Sequence, residues 1–131
     1  MSGPAGQDKM FTCGADKAKN LAQIAFVDRV SLEDGRLCAQ QVQGLASDLR
    51  PGFSLLTDLS ELKFMDPGCA ADIKGIMDFL NERGIARVVR IIPDAQKDIG
   101  FGIMSLFHYG KGVRIVTCET RDEAQGVLAA A

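Results

Sequence analysis

The chain has 131 residues, 47% of them hydrophobic and 24% charged, a balance that suits one packed domain and argues against a disordered or low-complexity chain. Fifteen Lys and Arg against 17 Asp and Glu leave a net charge of -2, with no basic stripe interleaved with aromatics, which disfavours nucleic-acid binding. At this length a single core buries roughly two thirds of the unfolded surface.

Residues 1–8, rich in Gly, Ser, Pro and Gln, offer nothing to bury and are read as a flexible leader before one domain over 9–131. Met10 to Cys13 and Leu21 to Val30 are strand-like runs separated by Gly14-Ala15-Asp16-Lys17, so an antiparallel hairpin is expected. Ser31 then caps a helix whose first turn carries Glu33 and Asp34. Its apolar stripe is Cys38, Val42, Leu45, Ala46 and Leu49, and Pro51-Gly52 ends it.

Phe53 to Leu59, Ala86 to Ile92 and Val113 to Cys118 are compact apolar runs suited to strands buried on both faces. Between them, Pro67 to Arg83 (Ala70, Ile73, Met77, Leu80) and Asp94 to His108 (Ile99, Ile103, Met104, Phe107) are periodic in the helical sense. Thr120 and Glu123, at capping-box spacing, open a last helix with Ala124, Val127, Leu128 and Ala131 on one stripe. The order β-β-α-β-α-β-α-β-α implies an α/β fold: a mixed, mainly parallel sheet of about five strands with a leading hairpin and four helices.

The stretch Leu55-Leu56-Thr57-Asp58-Leu59-Ser60-Glu61-Leu62-Lys63-Phe64-Met65-Asp66 resembles the central strand and loop of STAS domains, the family of anti-sigma-factor antagonists and sulphate-transporter tails. The element order agrees with that family over nearly the whole chain after the leader. Physics explains part of the motif without any family. Asp66 suits an N-cap, Pro67 the first helical position, and Phe64 or Met65 a staple under the helix.

In phospho-regulated STAS proteins a serine or threonine follows that aspartate. Here Pro67, Gly68 and Cys69 follow, and none carries a hydroxyl. The resemblance thus implies a regulatory module that docks a protein partner, an anti-sigma factor or a related kinase-like protein. Asp58, Ser60, Asp66, Pro67, Gly68 and Cys69 are its candidate partner-binding residues, and no phosphorylation switch is expected at the usual position.

Other chemistry reads as packing. Cys69 near a helix N-terminus could be an activated thiol, but a small residue packing the first turn explains it as well. Cys13, Cys38, Cys69 and Cys118 form no C-x-x-C pair, which favours reduced thiols over disulfides or zinc. His108, the sole histidine, suits a helix C-terminus, and Tyr109-Gly110-Lys111-Gly112 a turn. Asp58, Asp66 and Asp72 fit strand-end, cap and surface roles, so no catalytic residue, cofactor or metal site is assigned.

Arg83, Arg87 and Arg90 straddle a helix end and a strand and should point to different faces. No apolar run approaches the roughly 20 residues of a membrane-spanning helix, and Met1 to Lys9 lacks a signal peptide's apolar core, so a cytosolic protein is expected. The alternative to a docking module is a small-molecule sensor enclosing an apolar ligand, with Met65, Met77, Phe101, Met104 and Phe107 as lining. Homodimerisation through a sheet edge or helix face is compatible with either.

Overall fold

The chain opens as a hairpin whose second strand buries Ala22, Ile24 and Phe26 at alternate positions. Strand β1 (Phe11–Asp16) pairs antiparallel with β2 (Leu21–Val30), Phe11 opposite Phe26 and Asp16 opposite Leu21. The structure is a computed structural model that describes residues 10–92 and 113–130. The leader, the helix expected over 94–108, His108 and the turn 109–112 lie outside the described residues.

The turn comes later than the sequence suggested. Gly14, Ala15 and Asp16 continue β1, and the chain reverses over 17–20, with Asn20 at φ 52. Asn20 also holds the segment after the first helix: its Oδ1 accepts from Arg50 N at 2.8 Å, and its Nδ2 donates to Arg50 O at 3.2 Å.

Helix α1 (Leu32–Gly44) starts at a reciprocal cap. Asp34 N donates to Ser31 Oγ at 3.2 Å, and Ser31 N to Asp34 Oδ2 at 3.0 Å. Cys38 and Val42 face the core, but the helix stops at Gly44, so Ala46 belongs to a short 3-10 turn and Leu49 to the segment after it.

Strand β3 (Ser54–Met65) is twelve residues long and runs on through Ser60 to Met65, beyond the Phe53 to Leu59 run that the sequence marked as strand. Two register shifts against β2 explain the misreading: Ala25 and Val27 face Asp58 and Glu61, and Asp28 and Arg29 face Leu62 and Phe64. Each inserts an extra residue in β3, so Leu59, Leu62 and Met65 are buried at a spacing of three instead of two.

A 3-10 turn at Pro67–Cys69 leads into α2 (Ala70–Glu82), which buries Ile73, Ile76, Met77 and Leu80. Gly84 ends it at φ 94, with Ile85 N donating to Leu80 O and Gly84 N to Asn81 O. Strand β4 (Arg87–Ile91) follows. Strand β5 (Arg114–Cys118) and α3 (Arg121–Ala129) complete the described chain.

The sheet order is β1-β2-β3-β4-β5, with β1–β2 antiparallel and the other pairs parallel. Ala22, Ile24, Phe26, Leu55 and Val88 join α1 and α2 in the larger core. The alternate residues Leu21, Leu56 and Val89, with Ile91 and Cys118, meet Ala124 of α3 on the opposite face. β4 is buried on both faces as expected. β5, last in the order, exposes Arg114, Ile115 and Thr117.

Candidate functional site

The six residues singled out from sequence fall into two groups. Asp66 to Cys69 form the junction between β3 and α2, whereas Asp58 and Ser60 lie near the middle of β3. Seven residues of strand lie between Asp58 and Asp66, each rising about 3.3 Å, so the two groups do not meet.

The junction is built as a cap. Asp66 Oδ1 accepts from Gly68 N at 2.8 Å, Pro67 takes the first position, and Cys69 N donates to Asp66 O at 2.9 Å. Cys69 is fully buried; its thiol donates to Ser31 O at 3.3 Å and packs against Gly35, where a Cβ would come within 3.0 Å of Sγ. The start of α1 therefore lies directly against the start of α2.

Burial, with Asp66, Asp72 and Asp34 nearby, pushes the Cys69 thiol up to about 11, and the backbone hydrogen bond from Gly35 only partly opposes this. A helix start here does not produce a thiolate, and the packing reading of Cys69 holds. All four cysteines are free.

Outside this buried contact the junction presents apolar surface. Pro67 and Gly68 are exposed and Phe64 half-buried, with the Arg29 guanidinium 4.7 Å above the Phe64 ring. Leu32, 47% exposed, covers Gly68 so closely that a Cβ there would collide with its Cδ2. Leu32 was not singled out in the sequence, where it read only as the residue after a cap.

Asp58 sits on the other face. Ser60 donates to Asp58 Oδ1 from its backbone N at 2.9 Å and from its hydroxyl at 2.6 Å, spanning the first bulge of β3. Arg121, at the first position of α3, donates to Asp58 Oδ2. Burial by itself would raise the Asp58 carboxyl. The Ser60 bonds and the Arg121 guanidinium outweigh it and hold the group below its ordinary value. The pair forms one wall of a cleft of about 320 Å³ over β1 and β2, lined by Thr12, Gly14, Gln23 and Ala25.

Three solved structures share this architecture at 14–17% sequence identity. The fold is SpoIIAA-like. The anti-sigma factor antagonist SpoIIAA in its unphosphorylated form superposes with a TM-score of 0.63 and 14% identity, covering 92% of this chain and 99% of that one. An uncharacterised DUF3478-family protein with a SpoIIAA-like fold, from Shewanella loihica PV-4, gives 0.62 and 16%, covering 90% and 93%. An anti-sigma factor antagonist from Mycobacterium paratuberculosis gives 0.54 and 17%, covering 91% and 94%. No protein-family model matches the chain, and no curated protein does.

The SpoIIAA-like fold bears out the resemblance to STAS domains at the level of architecture. Among the residues suggested for an apolar ligand cavity, Met65 and Met77 are instead packed in the core, and Phe101, Met104 and Phe107 lie outside the described residues. Arg83 ends α2, while Arg87 and Arg90 alternate along β4, so the three do not form a basic patch. No group of metal-ligating side chains occurs among the described residues, and no described helix is long and apolar enough to cross a membrane.

Proposed function

We propose that the chain is a cytosolic regulatory module that docks a protein partner, an anti-sigma factor or a related kinase-like regulator, on the junction between β3 and α2. The observation that carries this reading is the exposed apolar surface of Leu32, Pro67 and Gly68, flanked by Phe64, at the start of two abutting helices. The SpoIIAA-like fold supports it, since two of the similar structures are of anti-sigma factor antagonists.

In this reading the module is not switched by phosphorylation at positions 67–69. No hydroxyl is present there, and the side chain at 69 is wholly buried against Ser31 and Gly35. The contact is held in one binding state. Asp66 fixes the junction's backbone through its cap, and Asp58 and Ser60 brace β3 from the opposite face.

Affinity capture with immobilised protein tests the reading. A stoichiometric partner retained by the wild type and by Lys17→Ala in the distant hairpin turn, but lost with Leu32→Asp, supports it. Capture unaffected by Leu32→Asp, or no partner at all, overturns it.

A further inference from the structure

At the N-terminal ends of the parallel strands, away from the docking junction, a cleft of about 380 Å³ opens between the sheet and the last turn of α3. Its residues come from separate elements that the register aligns. Leu21 of β2 faces Ser54 of β3, and Ser54 faces Arg87 of β4, in one row across the sheet. Leu128 and Ala129 of α3 close the apolar side, and Lys19 in the hairpin turn stands at the rim. The volume lies within the range of small-molecule sites.

Arg87 is half-buried there and held in place. Its Nε donates to Ser54 Oγ at 3.2 Å and its Nη1 to Val127 O at 3.3 Å. Nη2 has no partner among the described residues, and no acidic side chain is among those lining the cleft.

A plainer role for Arg87 is to satisfy the end of α3, which carries no basic residue in its last turn. The bond to Val127 O does that. It requires neither the second cation nor the apolar walls, nor an open volume between them.

We propose that this cleft binds a small amphipathic carboxylate, its head group on Arg87 with Lys19 adding charge, and its apolar tail along Leu21, Leu128 and Ala129. The planar guanidinium, fixed by two bonds and with a nitrogen to spare, matches a carboxylate better than a point cation would. The inference is independent of the docking reading.

The test is a two-dimensional amide NMR titration of the full chain with octanoate, with octanol and inorganic phosphate as comparison probes. Octanoate should shift Leu21, Ser54, Arg87 and Leu128 with a Kd of about 1 mM, a realistic affinity for a ligand of this size. Arg87→Gln should weaken it about tenfold, the loss of one charge-assisted hydrogen bond. Ala129→Phe, at an exposed position, should fill the cleft and abolish binding without unfolding the protein; it decides the matter should Arg87→Gln fail to fold.

Absence of shifts up to about 10 mM octanoate overturns the inference. So do shifts centred elsewhere, or octanol or inorganic phosphate binding as well as octanoate at the same residues.

Discussion

Arg121 Nη2 reaches Asp58 Oδ2 at 2.5 Å, joining the start of the last helix to the middle of β3 across 63 residues of sequence. The bond ties α3 to the sheet at the point where β3 bulges. The Asp58 side chain is only 10% exposed, whereas Arg121 is 57% exposed, so the carboxylate depends on the pair more than the guanidinium does.

Replacing Arg121 by Gln should cost about 0.5–1 kcal/mol, since the guanidinium is largely solvated and Asp58 keeps its two bonds from Ser60. Asp58→Asn should cost more, about 1–3 kcal/mol, because it weakens the bonds from both Ser60 and Arg121. Urea unfolding of the two single variants and the double variant measures the coupling; additive costs would mean that the pair contributes nothing.

The Asp58 carboxyl ionises more readily folded than unfolded, so its stabilisation is complete above the ordinary value of 3.8 and lost as pH falls through the lower folded value. Wild-type stability should drop faster than that of Asp58→Asn below about pH 4. Thermal melts between pH 2.5 and 6 check this, and parallel curves would remove Asp58 as the cause.

Cys69 shows the opposite sign. Its thiol is pushed from 9.0 to about 11, and burial raises that of Cys38 as well, so folding favours their neutral forms. Stability from these groups is present below pH 9 and lost as pH rises through the folded values. At neutral pH, Cys69 should alkylate at least about 100-fold more slowly than a model thiol, and the half-buried Cys13 should react first. Peptide mapping after iodoacetamide treatment reads the order.

Glycine substitutions separate close approach from helix propensity. Gly68→Ala should cost no more than about 1 kcal/mol, because its Cβ strikes only the Cδ2 tip of the exposed Leu32 side chain, which can turn aside, and Leu32→Ala should remove that cost. Gly75→Ala in α2, with open space around its Cβ, should instead stabilise by about 0.5–1 kcal/mol. Equal effects at both positions in chemical denaturation would show that Leu32 does not press on Gly68.

Removing the junction cap with Asp66→Ala should cost about 1 kcal/mol, by loss of the bond from Gly68 N. Amide hydrogen exchange should then speed up at Gly68 and Cys69 while β4 stays protected. Loss of protection throughout the chain would assign Asp66 a larger part in the fold.

Local chemistry alone determined the helix starts: Ser31, the pair Asp66-Pro67 and Thr120 each cap within three residues, so spacing reveals them. The runs of β2, β4 and the first half of β3 were equally legible, because each concentrates apolar residues that the sheet buries: Ile24 and Phe26, Val88 and Val89, Leu55 and Leu56. The second half of β3 was not, since two bulges replace the period of two by one of three.

Only the tertiary structure decided which residues share a site. It joined Leu32 to Gly68, Arg121 to Asp58 and Arg87 to Ser54, and it parted Asp58 from Asp66, although the sequence pattern had already located the elements that carry them. Caps and periodicity act over a few residues, where the chain itself holds the partners together. Contacts across a sheet depend on strand order and register, which are set by how the two apolar faces are buried and leave no mark at any single position.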